Sequence, residues 1–174
     1  MKELYVVITG PKGIGKSTFL RKLGKILSCL YNVGGVITIG QENREFLNLK
    51  TKEISAFRKE KEENGIQIGK YFIANRALSF AANSLKDVSD VDLIFVDEIG
   101  KLESKKEGLY EPFSKLISTI NEEEKVIILG VRKEIVPQLS ELFSFDTRKI
   151  WFLEKHPSED LLLEVIDFII ENYE

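Results

Sequence analysis

The chain has 174 residues, 43% of them hydrophobic and 30% charged, with a formal charge of −3. At ~150 residues per domain this predicts one domain, residues 1–174, with a core large enough to need no disulfide or metal, and the composition excludes disordered and fibrous classes. One cysteine, Cys29, and one histidine, His156, exclude a disulfide framework and Cys- or His-rich metal sites, and the acidic balance argues against a dedicated nucleic-acid binder.

Met1-Lys2-Glu3 leads into a strand-like run with no small-residue cleavage site. No apolar run reaches the ~20 residues of a membrane span. The expected location is therefore the cytoplasm, away from membranes.

Leu4 to Thr9 is continuously apolar and β-branched, the pattern of a strand buried on both faces. A glycine-rich turn follows. Lys16 to Leu30 then reads as an amphipathic helix with Phe19, Leu20, Leu23, Ile26, Leu27 and Leu30 inward. Residues 34–68 read as an antiparallel meander attached to the main sheet, with a charged turn at 59–63. Helical spacing returns from Gly69 to Leu85. Val91 to Val96 is a second apolar strand, ending in Asp97-Glu98. A helix from about Gly108 to Asn121, a strand at Val126–Val131, a short helix at Glu134–Phe143 and a strand at Lys149–Leu153 complete the core. Ser158 caps a last helix that carries Glu159 and Asp160 in its first turn. Helices alternating with doubly apolar strands predict an α/β fold with a mostly parallel, doubly covered sheet.

Two motifs carry chemistry. Gly10-Pro11-Lys12-Gly13-Ile14-Gly15-Lys16-Ser17 fits the P-loop (Walker A) pattern, set between a buried strand and an amphipathic helix. Glycines let successive N–H groups point into one concavity, and the helix aims its positive end there. Lys16 would reach the β- and γ-phosphates, Ser17 would offer its hydroxyl to Mg²⁺, and Thr18 would bond the α-phosphate. The second motif is Phe95-Val96-Asp97-Glu98-Ile99-Gly100-Lys101. An Asp ending a neighbouring apolar strand holds Mg²⁺ in P-loop proteins (Walker B), and Asp97 has that position. Glu98 reads as the acid that polarises the attacking water; the alternative is a solvated strand end. Asp97-Glu98-Ile99-Gly100 also spells D-x-x-G, but the guanine-reading N-K-x-D occurs nowhere, so loose base selectivity is expected.

With these residues the chain resembles the small nucleoside-triphosphatases first described from hyperthermophiles, the family of the cancer-related nucleoside-triphosphatase. The resemblance rests on Thr9 to Thr18 and on Val96-Asp97-Glu98-Ile99-Gly100-Lys101-Leu102-Glu103, and extends to the strands at Gly34–Thr38 and Val126–Val131. It implies a RecA-like P-loop core with added antiparallel strands. It also implies slow, Mg²⁺-dependent hydrolysis of ATP, GTP and other nucleoside triphosphates to diphosphate and phosphate. Two departures stand out. Thr38 is followed by Ile39-Gly40 where the family has paired acids, unless Glu42 substitutes, and Val131-Arg132-Lys133 replaces a Thr-Ile-Pro.

Arg132 would then face the γ-phosphate as a third catalytic group beside Lys16 and Glu98, or be a solvated strand-end charge. Lys101 is a weaker candidate for the same place. Arg44, Arg58 and Arg76 read as solvated, with a lid as the alternative. Trp151 and the Phe143/Phe145 pair read as packing rather than base stacking. His156 reads as an ordinary loop residue, and Cys29 as inert. Two other functions fit the same motifs. One is a small-molecule or polynucleotide kinase whose acceptor lid is the 34–68 segment. The other is a nucleotide-dependent switch acting on a protein partner.

Overall fold

The computed structural model describes residues 4–58, 64–120, 125–144 and 150–173. Among these residues nine strands and five α-helices follow in chain order. The first half is β1 (Leu4–Gly10), α1 (Lys16–Leu27), β2 (Val33–Ile39), β3 (Glu45–Asn48), β4 (Ile54–Ala56), β5 (Gly65–Ile68), β6 (Tyr71–Ala74) and α2 (Asn75–Lys86). The second half is β7 (Leu93–Ile99), α3 (Tyr110–Ile120), β8 (Val126–Arg132), α4 (Val136–Phe143), β9 (Ile150–Phe152) and α5 (Glu159–Tyr173).

Seven strands form one sheet in the order β4-β3-β2-β7-β8-β1-β9. From β2 to β9 every pairing is parallel; β3 and β4 extend the sheet antiparallel. The strand β8 lies between β1, which leads into the glycine loop, and β7, which carries Asp97. This spacing is that of the RecA-like core. It brings the C-terminal ends of β1, β8 and β7 side by side, where ligands of parallel α/β sheets bind.

Alternation along the strands produces two cores. On one face Val6, Ile8, Leu93, Phe95 and Ile128 meet Phe19, Leu20 and Leu23 of α1 and Val165 and Ile169 of α5. On the other, Val7, Ile94, Val96, Ile127 and Leu129 meet Ala77 and Ala81 of α2, Phe113 of α3 and Leu139 of α4. Fully burying one such Leu, Ile or Phe side chain contributes roughly 1.5–3 kcal/mol. The doubly covered parallel sheet of the sequence reading is thus present.

The 34–68 meander is redrawn. Its first strand, β2, is also a core strand, paired parallel with β7 through Val33–Val36. The antiparallel run ends at β4. Residues 65–68 pair instead with Tyr71–Ala74 in a separate hairpin, β5–β6. The helix expected from Gly69 accordingly begins at Asn75. The aromatic and β-branched run Tyr71-Phe72-Ile73 prefers a strand, and Gly69, with φ +57°, makes the turn that lets it fold back. Helix α1 stops at Leu27, so Leu30, expected inward, lies beyond it and is exposed; Ile26, within the helix, falls outside its buried stripe and is exposed as well. At α5 the Ser158 hydroxyl accepts the Leu161 N–H at 3.2 Å, as the cap reading requires. The charged turn at 59–63, Asn121, Phe145 and Lys149 lie outside the described residues. No helix among the described residues is long and apolar enough to cross a membrane.

Candidate active site

Between β1 and α1 the chain turns through Gly13 at φ +81° and Gly15 at φ +104°. These left-handed conformations are resisted by residues with a Cβ. They let the loop curl over the N-terminus of α1, where backbone N–H groups lack helical partners. Lys16, the first residue of α1, reaches back across the loop. Its ammonium donates to the carbonyls of Gly10 at 3.0 Å and Pro11 at 2.8 Å. Burial lowers its pKa, while the charges of Asp97 and Glu98 oppose that shift and the nearby Arg132 adds to it.

Asp97 ends the regular part of β7 and is 3% exposed. Its Oδ2 accepts the Thr38 N–H at 3.3 Å, and its Oδ1 accepts the Glu98 N–H at 2.9 Å. Burial pushes its pKa up to about 6, helped by the charge of Glu98; a hydrogen bond with the Ser17 side chain opposes the rise. The strand beside it leaves room for nothing more. A methyl on Gly130 of β8 would collide with Asp97 Oδ1 and with Leu20 Cδ1. The Thr38 hydroxyl is buried without a hydrogen-bond partner among the described residues.

Glu98 departs from the strand. The β7–β8 register shifts between Asp97 and Ile99, and Glu98 takes φ +65°. Successive residues of a regular strand point to opposite faces. The bulge lets two consecutive acids serve one cleft. Arg44, from the segment joining β2 to β3, forms an ion pair with the Glu98 carboxylate.

Glu103 closes the loop after β7. Its Oε2 accepts the Gly100 N–H and its Oε1 the Leu109 N–H, both at 2.8 Å. Burial raises its pKa against these two bonds. The resulting cleft has a volume of about 530 Å³, within the range of small-molecule sites. The P-loop, Asp97 and Glu98 line it together with Phe46, Phe57, Tyr71 and Leu78.

A family model described as NTPase matches residues 5–166. The chain belongs to this family. A nucleoside-triphosphatase THEP1 from Methanosarcina barkeri is 30% identical over 148 residues, covering 78% of this chain and 80% of that protein. A nucleoside-triphosphatase THEP1 from Thermotoga maritima is 28% identical over 177 residues, covering 94% of each. Among solved structures, a human cancer-related nucleoside triphosphatase superposes with a TM-score of 0.66 at 18% identity, over 97% of this chain and 98% of that one. THEP1 from Aquifex aeolicus superposes with a TM-score of 0.60 at 19% identity, over 95% and 98%. These two structural likenesses concern the fold.

In this member of the NTPase family, Lys12, Gly13, Gly15, Lys16, Ser17 and Thr18 line the cleft together with Asp97, Glu98, Ile99, Gly100, Lys101 and Arg132. The remaining motif residues support them from outside. Ile14 packs against the α5-side core, Gly10 ends β1, and Pro11 is exposed. Phe95 and Val96 are fully buried on opposite faces of the sheet, in the two cores rather than in the cleft. Arg132 ends β8, and Lys101 is exposed at the rim.

The solvated reading holds for Arg58 but not for Arg44 or Arg76. Arg76 donates to Ser55 Oγ at 2.7 Å and the Ala56 carbonyl at 2.9 Å. Trp151 donates to Glu164 at 3.1 Å and meets Phe168 edge-on, and Phe143 meets Phe113 edge-on, so both are packing residues. His156 and Pro157 lie against Gly15, closer to the P-loop than an ordinary loop position implies. Sequence reasoning weighed Arg44 only as a lid alternative to a solvated charge, and missed Tyr71, Glu103 and Gly130 as neighbours of the site. Of these three, Glu103 alone had a signal, as the last acid of the second motif.

Proposed function

We propose that the chain is a nucleoside-triphosphate hydrolase with broad base selectivity, releasing diphosphate and phosphate, and that residues 1–174 act as one P-loop unit. The observation that carries this reading is the bulge that turns Glu98 into the cleft beside Asp97 and Lys16. The names of the THEP1 relatives agree with it.

Mg²⁺ fits the donors. Asp97 is a buried carboxylate whose charge is poorly compensated, and it is hydrogen-bonded to the Ser17 side chain. Mg²⁺ prefers such hard oxygens, taking one or two carboxylates and completing its shell with phosphate and water. Ser17 and Asp97 would hold it. When bound it neutralises phosphate charge and polarises the γ-phosphoryl group.

The remaining chemistry belongs to the chain. Glu98 accepts a proton from the attacking water as its oxygen bonds to the γ-phosphorus and the bond to the β,γ-bridging oxygen breaks. Lys16 exchanges the Gly10 and Pro11 carbonyls for β- and γ-phosphate oxygens, a better match for a compact cation. The P-loop N–H groups cradle the phosphates. Arg132, at the end of the strand between the two motifs, adds positive charge where the leaving group develops negative charge. The guanine-reading N-K-x-D signature is missing from the sequence, which favours broad selectivity.

Phosphate release from ATP, GTP, CTP and UTP, with Mg²⁺ or with EDTA, tests the reading. Comparable rates for the four nucleotides, Mg²⁺ dependence and loss of turnover in Glu98→Gln are expected. Full turnover in Glu98→Gln would overturn the role of Glu98. Phosphate appearing on an added nucleoside or 5′-hydroxyl oligonucleotide, instead of free in solution, would make the protein a kinase.

A further inference from the structure

Arg44 has an uncommon environment. Its side chain is only 16% exposed. Its guanidinium lies over the Tyr71 ring, 4.8 Å from the centroid, and 5.6 Å from that of Phe57. Arg44 Nη2 is given to the Glu98 carboxylate, and the side chain makes no other hydrogen bond among the described residues. A guanidinium has five N–H donors in a planar fork. Arg44 therefore brings several unspent donors to the wall of the cleft, on the group proposed to activate water.

Its seat is also tied to the P-loop. The ammonium of Lys12 lies 5.8 Å from the Tyr71 centroid, and that of Lys70 lies 5.1 Å from it. The Tyr71 hydroxyl donates to the Gln41 carbonyl at 3.3 Å, joining the β5–β6 hairpin to the segment that carries Arg44. The aromatic platform restricts the guanidinium before any ligand arrives, so less side-chain freedom is lost when it binds an anion.

We propose that Arg44 is a catalytic arginine supplied by this chain itself, which donates to the γ-phosphoryl oxygens during hydrolysis while steering Glu98. The proposal rests on the hydrolase reading above. A planar fork already touching the proposed base lies at the end of the cleft where the γ-phosphate and the attacking water must meet. Arginine matches phosphoryl oxygens with two parallel hydrogen bonds, which lysine cannot do. By shifting from carboxylate to phosphate, Arg44 would also free Glu98 to take the water proton. A triphosphate would therefore assemble its own base, and a diphosphate would not.

Single-turnover hydrolysis of ATP and equilibrium binding of ADP, measured on the full chain, test this. Arg44→Ala and the near-isosteric Arg44→Gln should lower turnover by roughly 10²–10³, below the ceiling set by arginine fingers, and leave ADP affinity within about threefold. Arg44→Lys should recover less than a tenth of the loss. Free guanidinium ion at tens of millimolar should restore part of the activity of Arg44→Ala, and methylammonium should not. An ion pair that merely steadied the loop would not be rescued in this way. Turnover within threefold of wild type in both Arg44→Ala and Arg44→Gln, with Glu98→Gln inactive, would overturn the proposal and leave the hydrolase reading standing. Equal losses of ADP binding and turnover, or no rescue by guanidinium, would also overturn it. An active Glu98→Gln would overturn the underlying reading instead.

Discussion

The two walls of the cleft are built differently. The wall formed by the ends of β1, β7 and β8 uses residues fixed by neighbouring strands. Asp97 has two backbone N–H partners, and Gly130 is held at hydrogen size by the carboxylate it faces. The opposite wall, from the β2–β3 segment and the β5–β6 hairpin, has a bonded backbone (the Phe57 N–H donates to the Arg44 carbonyl and the Ala74 N–H to the Phe57 carbonyl) but presents its groups as stacked side chains: Arg44 and Lys70 on Tyr71, with Lys12 reaching the same ring from the P-loop. The first wall holds its carboxylate through backbone bonds. The groups of the second sit at the ends of long side chains, which can shift without breaking a strand. The contrast teaches that this site divides its labour between a rigid strand-end wall, the proposed phosphate seat, and a cover of adjustable side chains.

Substitutions on the rigid wall should cost most. Lys16→Ala and Glu98→Gln are expected to lower turnover by ~10³ or more, the scale on which charge stabilisation and base catalysis act. Single-turnover phosphate release measures this. Glu98→Gln should still bind nucleotide and Lys16→Ala should not, so the two are separable by titration.

The buried acid predicts a pH dependence. The ordinary pKa of Asp97 is 3.8 and its folded value is about 6, raised first by burial. The folded state therefore holds this proton more tightly than the unfolded chain does. Stability is greatest below pH ~4 as far as this group is concerned, falls as pH rises from there to about 6, and levels off above. Urea denaturation in EDTA at pH 5 and pH 7.5 measures the slope. Asp97→Asn should remove most of it, with a smaller slope of the same sign left by Glu103, whose pKa is also raised. An unchanged slope in Asp97→Asn would mean that the rigid wall carries no such strain.

Glu103→Gln sets an amide N–H₂ against one of two backbone N–H donors. A loss of about 2 kcal/mol is expected from the orphaned group. Hydrogen exchange should then quicken at Gly100 and Leu109. On the adjustable wall, Tyr71→Ala should lower turnover by about twofold to fivefold and barely change thermal stability, because a single cation–π contact contributes roughly 0.5–1 kcal/mol. A Tyr71→Ala loss as large as that of Lys16→Ala would erase the distinction between the walls.

The rigid wall was largely readable from sequence, for a physical reason. Phosphate seats are built from backbone, and backbone curvature demands glycine at set intervals, so Gly10, Gly13 and Gly15 announce themselves. The Asp97-Glu98 pair stood out because acids ending an apolar run are costly without a purpose. The adjustable wall was opaque. Arg44, Tyr71 and Phe57 come from three separate segments, and nothing in their spacing says that they meet. The hairpin was missed because Ile73, Ala74, Ala77 and Leu78 also satisfy a helical period, and only pairing with Gly65–Ile68 decides between the two. Ile26 and Leu30 satisfied the period of α1 and yet face solvent: Leu30 lies past the helix end, and Ile26 falls beside the buried stripe of Phe19, Leu20, Leu23 and Leu27.

The bulge at Asp97–Glu98 bears on how such a site is inherited or borrowed. Two adjacent acids cannot be moved to another sheet as a dipeptide. On a regular strand one of them would face the opposite core, and its charge would have to be neutralised there. The transferable unit is wider. It comprises the extra residue on one strand, the glycine opposite on the next, and the neighbouring strand whose Thr38 N–H holds the inner carboxylate. A designer copying this chemistry must graft three strands, and a lineage that loses any one of them loses the placement of both acids together.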